Sequence, residues 1–189
     1  MGTKTQYEKT TPVKGYTDRV LHINLETREI AIKEMPARDK ELFVGGRGYC
    51  LKLVYDGTTG HTRYHSPENV LALAGGPYCG EAGFVGTGKF IVGTISPLTH
   101  SFADSNVGGH FFPLVKLSGS DAIAITGKST EKVIIVIDGD AGEISITDPE
   151  SATGSIMGAE HIIHRWKGDG KAANVAYIST GTGAEHTYF

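Results

Sequence analysis

One lysine set among glycines is the most chemically suggestive feature of this sequence. From Gly75 to Gly109 the chain reads GGPYCGEAGFVGTGKFIVGTISPLTHSFADSNVGG, with nine glycines in 35 residues and Lys89 as its single lysine or arginine. Glycine lets a backbone approach a ligand closely, at an entropic cost to folding. The stretch therefore reads as a surface of main-chain N–H and C=O groups, facing something anionic, flat or both. Gly83–Lys89 (GFVGTGK) satisfies the G-x-x-x-x-G-K pattern. A phosphate-binding P-loop needs Ser or Thr next and a helix whose N-terminus holds phosphate. Here Phe90 comes next and FIVGTI is strand-like, which argues against a nucleoside triphosphatase. Consecutive N–H groups beside a lysine still suit a phosphate; the competing reading is a glycine-rich turn with a surface lysine. Gly45-Gly46-Arg47-Gly48 is a second candidate anion site, with a forked guanidinium amid flexible backbone, or else a helix-breaking turn with a solvated arginine.

The remaining reactive residues point to no self-sufficient catalytic set. His161 and His164, beside Glu160, have the spacing of a helical metal pair, but no third ligand is evident and solvated histidines fit as well. The same holds for His61 and His65 near Asp56. His100 and His110 flank the SPLT and SNVGG segments and lie nearer the glycine surface. Cys50 and Cys79 are too few for an iron–sulfur cluster, which needs about four thiolates, and read as small buried hydrophobes. No G-x-S-x-G nucleophile elbow is present.

The elements that must position these residues can be read from periodicity. Residues 1–15 look like a loose leader. Leu21, Ile23 and Leu25, a turn at Glu26–Arg28, then Ile30 and Ile32 predict a β-hairpin with one wet side. Asp39–Tyr55 predicts a short helix, a glycine turn and a second helix of about two turns. Val70–Ala74 is a buried strand, Phe90–Ile95 a strand inside the glycine stretch, and FFPLVKLSG after His110 a helical segment with Pro113 in its first turn. Strands follow at Asp121–Thr126, Lys132–Ile137 and Glu143–Thr147, the last two forming a hairpin. A helix is expected at Ala159–Lys167 and a strand at Asn174–Ser179. About eight strands and three or four short helices give an α+β class, with a largely antiparallel, two-sheet base. The chain stops at Thr187-Tyr188-Phe189, where a strand is expected to start, which suggests a fragment or a subunit completed by another chain.

Composition narrows the classes further. The 189 residues hold 26 glycines, about twice the usual share of about 7%, and the formal net charge is -3. That balance argues against non-specific nucleic-acid binding. No apolar run approaches the roughly 20 residues of a membrane helix, the polar N-terminus is no signal peptide, and two cysteines form no disulfide framework. A cytoplasmic setting is expected.

In order, Arg19–Leu25 with Glu29–Glu34, Gly46-Arg47-Gly48, Ser66–Asn69, Ala74–Pro77, Gly88-Lys89-Phe90, Ser96–Thr99, Ser105–Gly109 and Gly119–Ile123 make a string that resembles the N-terminal domain of the aldehyde:ferredoxin oxidoreductase family. The resemblance runs from about Tyr16 to the C-terminus. It implies that residues 16–189 form a base on which a tungsten- or molybdenum-bis-pterin lies. By the same resemblance, Asn106 offers its main-chain carbonyl to a magnesium ion between the pterin phosphates, Gly108 and Gly109 lie under the cofactor, and Gly88 is a further cofactor-binding residue. Lys89 stands where the family often has arginine, keeping the charge and losing the bidentate fork. Arg47 is a further possible contact. A 4Fe-4S cluster would be held elsewhere in the enzyme. Partners would be the rest of the catalytic subunit or a split chain, and ferredoxin or an iron–sulfur subunit. The implied reaction is oxidation of an aldehyde to a carboxylic acid. Competing readings are a non-catalytic scaffold of the same fold, and a phosphate- or nucleotide-binding domain using Gly83–Lys89.

Overall fold

A computed structural model describes residues 2–148 and 175–187. In chain order the elements are β1 (Thr3–Gln6), β2 (Arg19–Asn24), β3 (Glu29–Glu34), α1 (Ala37–Phe43), α2 (Gly46–Gly57), β4 (Leu71–Gly75), β5 (Phe90–Ile95), β6 (Phe102–Val107), α3 (Phe111–Leu117), β7 (Ala122–Thr126), β8 (Ile134–Asp138) and β9 (Glu143–Thr147), with a short 3-10 turn at Thr182–His186. They make a six-stranded sheet, β3-β2-β7-β4-β5-β6, and a three-stranded sheet, β1-β9-β8. Every pairing is antiparallel except β2 with β7. The fold is thus α+β with two largely antiparallel sheets.

Strand alternation sorts small from large side chains onto the two faces of the large sheet. Ala72, Ala74, Ala122 and Ala124 join Val20, Cys50 and Val54 in one core, under α2. The intervening Leu73 and Ile123 join Leu21, Ile23, Phe90, Phe112, Ile144 and Ile146 in the other, between the two sheets and α3. Alanine lets the α2 backbone come close, while the bulky residues fill the wider gap between sheets, so each face is packed densely by a different size class.

Several expectations need correction. The leader contains a strand: Thr3–Gln6 pairs with β9, and Lys4 and Gln6 both donate to the Glu143 carboxylate at 2.9 Å. TKTQ has no apolar alternation, so backbone pairing and polar side chains hold it at the edge. The β2 half of the hairpin has no wet side, because β7 flanks it and both its faces are covered; Val20, Leu21 and Ile23 are all buried. β6 has no counterpart among the expected strands, since Asp104, Ser105 and Asn106 are poor strand formers; pairing with β5 along its whole length overrides that preference. α2 starts inside the GGRG motif and runs 12 residues. Residues 175–179 carry no strand. The helix expected at 159–167 lies outside the described residues.

Candidate functional site

One end of the six-stranded sheet gathers the glycine-rich segments. β4 ends there at Gly75, β5 begins at Phe90 opposite it, and β6 ends at Val107 opposite Phe90. Continuing the β5–β6 register past the last pair sets Lys89 beside Gly108 and Gly88 beside Gly109. Gly88 is required by close approach: a Cβ there would collide with the Gly109 carbonyl oxygen, while Gly109 itself has φ +112°. On the outer side, a Cβ at Gly76, Gly108 or Gly109 would meet nothing within 4 Å. Asn106 is exposed on β6 opposite Ile91, and Lys89 is exposed. Among the described residues the Lys89 side chain makes no hydrogen bond or ion pair. Gly88, Lys89, Asn106, Gly108 and Gly109 are thus brought together as open backbone with one unpaired cation.

Arg47 reaches the same end from above the sheet, but it is engaged. Its Nε donates to Asp104 Oδ2 on β6 at 2.9 Å. The first turn of α2 is fixed by backbone: a Cβ on Gly45 would lie 2.6 Å from the Gly75 carbonyl oxygen, so only glycine permits this crossing. Just before it, Val44 has φ 60°, ψ -54°, with the Gly45 N–H donating to Phe43 O at 2.6 Å. This is a γ-turn with positive φ, strained for a β-branched residue by about 1–3 kcal/mol. The Tyr16 hydroxyl donates to the Val44 carbonyl at 2.8 Å and holds it.

Beneath this end lies a buried ion pair, Lys116 and Asp121, each about 3% exposed, with Nζ 3.4 Å from Oδ1. Lys116 also donates to Gly15 O and Gly76 O, both at 2.6 Å. Asp121 Oδ2 accepts from Thr17 N and Asp18 N, both at 2.8 Å. Four segments (residues 15–18, the Gly75–Gly76 turn, α3 and the start of β7) are joined by two side chains. Sequence reasoning missed this pair. The available signal was a lone cation inside the apolar helix FFPLVKL. Beside it, burial pushes the Cys79 thiol pKa up, while the Lys116 ammonium pulls it the other way.

The opposite end of the sheet holds the SPEN and SPLT motifs, about 17 Å away along β5. Here the side chains satisfy the turns themselves. Asn69 Oδ1 accepts from Thr94 Oγ1 and Ile95 N, and its Nδ2 donates to Tyr64 O at 2.9 Å. Ser96 Oγ accepts from Leu98 N and Thr99 N. His100 lies at this far end, whereas His110 follows Gly109 at the glycine end. His65 packs edge-on against Tyr64. Among the described residues no group of three or more His, Cys, Asp or Glu side chains is arranged to hold a metal ion; His161 and His164 lie outside them. Both cysteines are buried and free. The Gly80–Thr87 loop closes on itself through Gly80 N to Thr87 O at 3.0 Å and Thr87 Oγ1 to Glu81 O at 2.9 Å. The strand after Lys89 leaves GFVGTGK without the helix a P-loop needs. Among the described residues no helix is long and apolar enough to cross a membrane.

Fold and site together define a two-sheet base with open glycine backbone and one exposed lysine at one sheet end. The chain belongs to the aldehyde ferredoxin oxidoreductase family, whose N-terminal domain matches residues 20–189. It is 30% identical over 165 residues to the "Tungsten-containing aldehyde ferredoxin oxidoreductase" of Pyrococcus horikoshii, covering 87% of this chain and 26% of that protein. It is 34% identical over 123 residues to the protein of the same name from Pyrococcus furiosus, covering 65% and 20%. Among solved structures it resembles "Active site complex BamBC of Benzoyl Coenzyme A reductase in complex with 1,5 Dienoyl-CoA", with TM-score 0.76, 34% identity, and coverage of 82% of this chain and 24% of that one. The chain spans about a quarter or less of the length of these relatives.

Proposed function

We propose that this chain is the cofactor-seating part of a tungsten- or molybdenum-pterin oxidoreductase that converts aldehydes to carboxylic acids. The observation that carries this is the convergence of Gly88, Lys89, Asn106, Gly108 and Gly109 at one sheet end, with Lys89 free of any anionic partner among the described residues. A metallopterin is broad and carries phosphates, so it needs flat backbone, donors and few bulky side chains; the open faces of Gly76, Gly108 and Gly109 meet that requirement. Lys89 would hold a phosphate as a point charge. Asn106 would offer its main-chain carbonyl to a magnesium ion, and Gly108 and Gly109 would present open backbone to the cofactor. When bound, the metallopterin supplies two-electron redox chemistry, and the protein supplies position and electrostatics. In this scheme a 4Fe-4S cluster and the remaining walls of the active site lie elsewhere in the enzyme, in the rest of the catalytic subunit or a split partner chain, and electrons pass to ferredoxin or an iron–sulfur subunit.

The test is tungsten, molybdenum and pterin analysis of the whole purified enzyme and of its Lys89→Gln variant. A charge-assisted hydrogen bond contributes about 1.5–3 kcal/mol, so retention of the cofactor should fall at least about tenfold, while the cofactor-free fractions of the two enzymes melt at the same temperature. Wild-type enzyme devoid of both metals and of pterin sinks the proposal.

A further inference from the structure

We infer that Arg47 serves the seat by neutralising Asp104 and does not itself contact the cofactor. This rests on the proposed metallopterin seat and goes beyond it by assigning two residues an electrostatic role. Asp104 and Asn106 lie on the same face of β6, two residues apart. Their partners on β5 show which face: Asp104 is opposite Gly93 and Asn106 opposite Ile91. A Cβ on Gly93 would meet the Phe102 ring and Cys50 Cβ of α2, and Ile91 packs in the core under α2. Asp104 therefore faces α2 and stands about 7 Å along the strand from Asn106. That separation is inside the Debye length of about 8–10 Å at ordinary salt.

An uncompensated carboxylate there would repel the phosphates that Asn106 and Lys89 are placed to receive. Its side chain is only 15% exposed, so water screens it poorly, and the single cation bonded to it among the described residues is Arg47. Arg47 is held in that position. Gly46 lies against Ile91, Gly45 against the Gly75–Gly76 backbone, and the Val44 carbonyl is fixed by the Tyr16 hydroxyl. With Nε on Asp104 at 2.9 Å, the guanidinium cancels a charge the seat cannot tolerate. The strained Val44 turn is the mount that keeps it there.

A double-variant cycle in the whole enzyme decides this. Metal and pterin per enzyme are measured after gel filtration at low and high salt for wild type, Arg47→Gln, Asp104→Asn and the double variant, with melting temperatures alongside. At low salt Arg47→Gln should retain on the order of tenfold less cofactor, and the deficit should shrink at high salt. Asp104→Asn should retain at least as much as wild type, and the double variant should return to the wild-type level. A double variant as depleted as Arg47→Gln would overturn the inference, as would full retention by Arg47→Gln. Wild-type enzyme without metallopterin would overturn the seat itself and this inference with it.

Discussion

The two ends of the six-stranded sheet are both rich in sequence motifs, yet they resolve in opposite ways. At the SPEN–SPLT end, many neutral hydrogen bonds close the turns: Asn69 onto β5, Ser96 onto the residues after it, Ser66 onto Arg63 N. There the Asn69 and Ser96 side chains are spent on the turns themselves. At the glycine end the foundation is concentrated in one buried pair, Lys116 and Asp121, and the layer above stays open at Lys89, Asn106, Gly108 and Gly109. Motif density does not distinguish the ends; the fate of the polar groups does. Where side chains answer the backbone, the motif builds the fold. Where backbone and cation stay unanswered over a rigid base, the motif is available to a ligand.

The strongest way to break this contrast is Lys116→Met. If the glycine end rests on one pair, removing its cation leaves Asp121 buried without its charge partner and three segments untied from α3. The expected cost is about 3–5 kcal/mol, read from urea unfolding. A loss below about 1 kcal/mol would mean the foundation is as distributed as at the other end.

Asn69→Ala probes that other end. It removes two weak accepted bonds and one donated bond, in a turn where neighbouring side chains share the work. The expected loss is about 1 kcal/mol, with tungsten or molybdenum content of the whole enzyme unchanged. A fall in metal content as large as that of Lys89→Gln would erase the distinction between the ends.

These two sites also show how far the sequence could be read. Glu143–Thr147 and Phe90–Ile95 were legible to the residue, because β-branched and aromatic residues run there between turn signals. β1 and β6 were not, because a polar edge strand is made by its neighbour and carries no hydrophobic period of its own. The gathering of Gly88, Lys89, Asn106, Gly108 and Gly109 followed from the family resemblance, and strand register supplies its physical cause. The Val44 turn and the commitment of Arg47 to Asp104 were illegible, since each depends on residues at least 28 apart in the chain meeting in space; Lys116 and Asp121 are near neighbours in the chain, but the Gly15, Gly76, Thr17 and Asp18 backbone that makes them a foundation is not.

The last expected effect is confined to alkaline pH and is absent near neutrality; it concerns Cys50, which links α2 to the sheet. Its single S–H is shared between the carbonyls of Ala72 on β4 and Ile91 on β5, and burial pushes its pKa up to about 12. The unfolded chain releases this proton near the ordinary thiol value, while the fold retains it. The contribution is therefore full below about pH 9 and is lost as pH climbs from about 9 toward 12. Cys50→Ala removes that linkage while leaving Tyr49 and the other alkaline groups in place. The variant's stability should fall less steeply across the window, by up to about 1.4 kcal/mol per pH unit, measured by urea unfolding at stepped pH. Parallel slopes would show that the thiol is already accessible to solvent in the fold, and that α2 does not sit closed over β4 and β5 at the seat.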